Sequence, residues 1–137
     1  MSLQPFISVA TESTPHILFD PGQSIFEMKG ESRPENAKAF YDPLIDWIRI
    51  YCDWSLGHIE HPGNEAQLIL NVHFDYFSSA SAKYLMNIFA RMEELYRGGR
   101  KIEIHWVYNE IDIEMKESGE EFQKLLSIPF VFEVIKI

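Results

Sequence analysis

The sequence predicts an α/β fold: a single mixed β-sheet with three helices packed mainly on one face, in the order β-β-α-β-α-β-α-β. Three observations carry that expectation. Apolar residues alternate over 67–77 and again over 101–108, the period of a strand with one face buried. After each of these runs the apolar spacing lengthens to that of a helix. The resulting strand-helix-strand units call for parallel pairing through right-handed crossovers. Strands covered on both faces would read as continuous apolar runs. Alternation therefore predicts one polar sheet face, open or used for contact.

Each element follows in order. Residues 1–14 read as a loosely ordered lead-in to a single domain spanning 1–137. Ile17–Asp20 and Ser24–Gly30 are two short strands, and the turn chemistry of Asp20-Pro21-Gly22-Gln23 joins them as a hairpin. Glu31 to Asn36 opens a helix, with Pro34 suited to its first turn, Ser32 or Arg33 just outside, and Glu35 near the positive dipole end. Phe40, Leu44, Ile48 and Tyr51 form its apolar stripe, widened by Tyr41, Ile45, Trp47 and Cys52. The helix ends near Trp54–Gly57, and a loop over Gly57–Asn64 follows.

In the next strand Leu68, Leu70, Val72, Phe74 and Tyr76 face one way and Asn71, His73 and Asp75 the other. From Ala80 a helix carries Leu85, Ile88, Phe89, Met92, Leu95 and Tyr96, and Gly98-Gly99 supplies a left-handed stop. Lys101–Tyr108 is a strand with Ile102, Ile104, Trp106 and Tyr108 on one face. Asp112 caps a third helix bearing Met115, Phe122, Leu125 and Leu126, weakened in its middle by Gly119. Pro129–Ile137 closes as a strand.

Composition narrows the function. At 137 residues, with 46% hydrophobic and 14% aromatic residues, the chain can bury one core. A net charge of −9 argues against nucleic acid and against anionic membrane surfaces, and favours a protein partner with basic surface. Cys52 is the single cysteine, so neither an internal disulfide nor a thiolate metal cluster is expected. No apolar run reaches membrane-spanning length and no signal peptide is apparent, so a cytoplasmic protein is expected, without membrane insertion.

The junction of the central strand with its helix holds Ser78, Ser79 and Ser81. At least one must cap the helix, whose first N–H groups lack internal partners. A phosphate there would meet those donors and the positive end of the dipole, and would reshape the surface beside Asp75. Catalytic alternatives are thinner. His58-Ile59-Glu60-His61, near Asp53, lacks the helical spacing of a metal-binding His-Glu-x-x-His pattern. His73, Asp75 and His105 could gather on the polar sheet face as a general-base pair or a zinc site, although exposed cross-strand polar pairs are commoner. No Gly-x-Ser-x-Gly is present, and Gly98-Gly99 follows a helix, so it is a cap and not a phosphate cradle. No enzyme, cofactor or metal site is expected.

Gly30-Glu31-Ser32-Arg33-Pro34-Glu35-Asn36, followed by Phe40-Tyr41 and Trp47, resembles the opening signature of the SiaC-type regulatory phosphoproteins. Phe74 to Lys83, leading into Met86-Asn87-Ile88-Phe89, resembles that family's central strand and phosphosite. Gly98-Gly99-Arg100, His105-Trp106, Tyr108, Asp112 to Phe122 and Ile128-Pro129-Phe130 fit its C-terminal half. The resemblance implies a fold like the STAS domains of anti-sigma-factor antagonists, and a partner-switching role. In such a family a Ser/Thr kinase adds a phosphate at the junction and a PP2C-type phosphatase removes it. The unphosphorylated form activates a diguanylate cyclase, raising cyclic di-GMP and promoting biofilm. The phosphorylated position falls on Ser79, a serine where the family has threonine, with Ser78 and Ser81 as alternatives and Ala80 in place of a neighbouring hydroxyl. Asp75, Phe77, Ser78, Ala80 and Lys83 are the candidate partner-binding residues, with Tyr41 and Trp54 as aromatic anchors on the first helix.

Two other readings stand beside this one: a constitutive binding module whose serines only cap, and a small metal-dependent enzyme using His58, His61, His73 or His105.

Overall fold

The computed structural model describes residues 3–58 and 67–136. Six strands and three helices occur in the order β1 (Phe6–Ser8), β2 (His16–Asp20), β3 (Ile25–Ser32), α1 (Ala37–Leu56), β4 (Leu68–Phe77), α2 (Ser79–Arg97), β5 (Ile102–Asn109), α3 (Ile113–Leu125) and β6 (Phe130–Ile135). The sheet follows the chain, β1-β2-β3-β4-β5-β6. Its first three strands pair antiparallel and the last four parallel. Each parallel step is bridged by one helix. With crossovers of one hand and strands advancing in one direction, every helix lands on the same face.

That face holds the core. Ile17, Phe19, Phe26, Met28, Leu68, Leu70, Val72, Phe74, Ile102, Ile104 and Trp106 are buried beneath Leu44 and Ile48 of α1 and Leu85, Ile88, Phe89, Met92 and Leu95 of α2. The opposite face carries His16, Glu27, Lys29, Asn71, His73, Glu103 and His105.

Four details depart from the sequence expectation. Within the stretch expected to be a loose lead-in, Phe6–Ser8 forms an edge strand, held further by the Trp47 indole N–H donating to the Gln4 carbonyl at 2.7 Å. The first helix begins at Ala37 under an Asn36 cap, whose side chain accepts from the Ala39 N–H at 3.1 Å. Ser32, expected near that helix start, instead ends β3. Pro43 lies inside α1 on its solvent side, where water can serve the Ala39 carbonyl that proline's missing N–H leaves free.

The third departure is in β4. Gly30 pairs with Phe74, but Glu31 pairs with Tyr76, leaving Asp75 without an opposite residue. This bulge inverts the alternation. Tyr76, expected in the core, is turned out and 49% exposed, while Phe77 turns in against Phe74, Trp106 and Phe122. Gly30, at φ +106°, sits beside the irregularity in a conformation that side chains disfavour.

The fourth is in α3. Leu125, expected on its apolar stripe, is 67% exposed; Leu126, one residue past the helix end, is buried in its place. Gly119, which reads as a weak point, is a packing requirement. A Cβ there would lie 2.5 Å from the Trp106 indole, whose N–H donates to the Met115 carbonyl at 2.9 Å.

Candidate functional site at the β4–α2 junction

The β4 bulge brings Ser32 opposite Phe77, and the chain then turns directly into α2. Ser78 is the N-cap: its backbone is extended and its Oγ accepts from the Ser81 N–H at 3.1 Å. The Ser78 N–H donates to the Ser32 carbonyl at 2.8 Å, fastening the helix start to the end of β3.

Beneath the cap four hydroxyls form a network whose direction follows from one proton per hydroxyl. The Ser81 hydroxyl donates to the Ser32 carbonyl at 3.0 Å. Ser81 Oγ then accepts from Ser78 at 3.1 Å and from Ser32 at 2.8 Å. Ser32 Oγ in turn accepts from the Tyr41 hydroxyl at 2.5 Å. Ser32, Tyr41 and Ser81 are all 0% exposed. Burial pushes the Tyr41 hydroxyl pKa upward against the opposing effect of its hydrogen bonds, so it remains a protonated donor.

The three candidate serines therefore occupy different environments. Ser81 is sealed in the network. Ser78 is half-buried and engaged as the cap. Ser79, the first residue of α2, is exposed, and among the described residues no hydrogen bond engages its hydroxyl. The Ser79 and Ala80 N–H groups lie at the open end of the helix, where a dianion is favoured.

Of the candidate partner-binding residues, Asp75, Ala80 and Lys83 are exposed at the junction, and Phe77 and Ser78 are half-buried beside them. Tyr41 is a correction. Its ring stacks on Tyr84 at 5.6 Å and its hydroxyl is spent in the network, so it cannot anchor a partner. Trp54 is half-buried, stacked on His58 with centroids 4.4 Å apart. It lies about 20 Å along α1 from Tyr41 at the helical rise, so the structure does not bring it to the junction.

Two shallow clefts flank Phe77, one lined by Asp75, Tyr76, Asp112, Glu114 and Met115, the other by Ala82, Glu121, Phe122 and Leu125. Phe77 and Ser118 border both. The sequence reading missed α3 as part of this surface, and missed Ser32 and Tyr41 as partners of the serine cluster.

The histidines do not converge. His61 lies outside the described residues, and the His58 ring is hydrogen-bonded to the Trp54 carbonyl at 2.7 Å. His105 is flanked by Glu103 at 2.9 Å and Glu133 at 2.8 Å. Its pKa is raised: burial pulls it down, but the hydrogen bonds its ring donates to the two carboxylates, and their charge, outweigh that. Among the described residues no group of three His, Cys, Asp or Glu side chains could hold a metal ion. Burial pushes the Cys52 thiol up to about 12, which removes it as a nucleophile. Among the described residues no helix is long and apolar enough to cross a membrane.

Comparison with known proteins shows the family and the fold. The model of a family described as "SiaC family regulatory phosphoprotein" matches residues 8–135. An uncharacterized protein of Pseudomonas aeruginosa strain UCBPP-PA14 is 31% identical over 123 residues, covering 90% of each chain. Crystalline apo-SiaC from Pseudomonas aeruginosa is similar with a TM-score of 0.80 at 28% identity, over 95% of this chain and 98% of that one. SiaC in a crystal structure with diguanylate cyclase SiaD, described there as its activator, is similar with a TM-score of 0.80 at 28% identity, over 95% and 99% of the two chains.

Proposed function

The chain belongs to the SiaC family of regulatory phosphoproteins, and from that premise we propose that it is a non-enzymatic partner switch whose phosphate acceptor is Ser79. Its unphosphorylated form binds and activates a diguanylate cyclase in the cytoplasm, raising cyclic di-GMP and favouring biofilm. A Ser/Thr kinase adds the phosphate and a PP2C-type phosphatase removes it. The solved complex of SiaD with SiaC supports the cyclase as the partner.

One observation carries the choice of acceptor: of the three junction hydroxyls, only that of Ser79 is both exposed and unengaged among the described residues. A kinase can take it without dismantling the cap or opening the core. A phosphate there adds roughly two negative charges and a bulky, strongly hydrated group to the surface formed by Asp75, Phe77, Ala80 and Lys83. Desolvating that group against a partner costs more than the contact returns, so the partner leaves.

The test is calorimetric titration of a purified diguanylate cyclase from the same organism with the wild-type chain, Ser79→Ala and Ser79→Asp. Binding by the first two and its loss in the third is expected. Equal binding by Ser79→Ala and Ser79→Asp would sink the switch and leave a constitutive binding module. Mapping of phosphate in native cells, during growth and starvation, identifies the acceptor directly.

A further inference from the structure

Independently of the Ser79 switch, we propose that β6 pairs antiparallel with β6 of a second copy of this chain, joining two sheets edge to edge. The two edges of the sheet are guarded differently. β1 has three residues, too short to template a long pairing. β6 has six, with an unbroken register against β5 and no proline inside it. The Pro129 carbonyl accepts from the Ile104 N–H and the Ile135 carbonyl from the Glu110 N–H, each at 2.9 Å. Backbone groups alternate along a strand, so those of Phe130, Phe132 and Val134 point to the free edge. Among the described residues no strand lies beyond them.

The side chains of β6 are largely apolar on both faces. Phe130, Phe132 and Val134 lie on the helix side, Val131 and Ile135 on the open side. α3 crosses inboard of them, with Phe122 against Phe77 of β4 and Trp106 of β5. Val134 is therefore exposed on one face, as Val131 and Ile135 are on the other. A charge on an edge strand ordinarily discourages pairing. The one charged residue inside β6, Glu133, is turned back to His105 at 2.8 Å.

A second copy meets these features together. With Phe132 on a twofold axis perpendicular to the sheet, Phe130 faces Val134 of the other copy, and the outward residues exchange about six backbone hydrogen bonds. Phe130, Phe132 and Val134 of both strands then pack side by side. Moving the axis to Glu133 would set two carboxylates face to face. Moves farther toward either end set an outward residue opposite chain outside β6. The strand offers a foreign peptide no free charge to read, so its best complement is itself. An edge this short buries less than a permanent dimer needs, and a net charge of −9 opposes approach, so association is weak and tightens as salt screens it. The twofold keeps the helices of both copies on one side and leaves the two β4–α2 junctions open, at opposite ends of the joined sheet.

The test is sedimentation equilibrium of the full chain in about 0.5 M salt, from about 10 µM to about 1 mM, where a monomer–dimer equilibrium is expected. Val131→Lys/Val134→Lys changes two exposed side chains and should raise the dissociation constant at least about tenfold. Ile7→Lys, on β1, should leave it unchanged, and thermal melting checks that both variants fold. Amide hydrogen exchange reads the geometry. The N–H groups of Phe130, Phe132 and Val134 should exchange more slowly in concentrated than in dilute protein, while those of Val131, Glu133 and Ile135 are protected in both. A chain that stays monomeric throughout, a dimer indifferent to the double lysine variant, or one without that alternation overturns the proposal. None of these outcomes touches the Ser79 switch, whose test is binding of the cyclase.

Discussion

The hydroxyl of Ser81 lies 2.8 Å from that of Ser32, a residue 49 positions earlier in the chain. That contact, with the Ser78 N–H on the Ser32 carbonyl, fixes the first turn of α2 to the end of β3. Ser81→Ala should therefore cost about 1–3 kcal/mol, because it strips the partner from the Ser32 hydroxyl in a site without water access. Urea denaturation measures it. A cycle with Tyr41→Phe should show coupling between the two positions, since both act through Ser32.

Ser78 and Ser79 should separate cleanly in the same assay. Ser78→Ala removes the oxygen that accepts from Ser81 and should lose about 1 kcal/mol. Ser79→Ala changes an exposed hydroxyl and should stay within about 0.5 kcal/mol of the wild type. A Ser79→Ala chain destabilised as much as Ser78→Ala would mean that Ser79 is structural.

Gly119→Ala offers a counterintuitive stability test. In an open helix this change gains about 1 kcal/mol of propensity. Here the new methyl meets the Trp106 ring at 2.5 Å, and overpacking of this kind typically costs about 1–3 kcal/mol. We expect a net loss in urea midpoint, with a changed near-ultraviolet circular dichroism from the displaced indole.

The His105 cluster should make stability depend on pH. Its folded pKa is raised, so its contribution is fully present below the unfolded value of about 6.5 and is lost as pH rises through the folded one. Glu103 works oppositely: hydrogen bonding to His105 holds its pKa down against burial, so its share disappears as pH falls into the acid range. The cluster is therefore strongest in mildly acidic solution. Denaturation midpoints should fall from pH 6 to pH 8, and His105→Gln should flatten that change.

Much of the fold was legible because burial here is one-sided. The alternation through Leu68, Leu70, Val72 and Phe74, and again through Ile102, Ile104 and Trp106, follows directly from helices covering one face. What the alternation could not reveal was where it breaks. The bulge at Asp75 is a pairing event with β3, and no local feature of Phe74 to Phe77 announces that Tyr76 and Phe77 exchange faces. Likewise, helix spacing placed Tyr41 on the flank of α1, but its role depends on Ser32 and Ser81, which only tertiary contact brings together. The serine cluster itself was visible as a helix start, and Ser79 was singled out by family resemblance. The difference in exposure among the three hydroxyls is a property of the folded junction alone. Gly119 illustrates the opposite error, since propensity registered a weakness where packing required the smallest residue.

The sheet's strand order repeats the order of the chain, so each new strand joins an edge already made by the one before it. Such a chain can assemble progressively during synthesis, from the N-terminal hairpin outward, with no strand waiting for a slot in the middle. The hydroxyl network has a place in that schedule. Ser32 and Tyr41 emerge first and can bond each other, but the Ser32 hydroxyl proton and carbonyl stay hydrated until the β4–α2 junction arrives to take them. The β4–α2 junction is thus the point at which the first half of the nascent protein becomes committed to its shape.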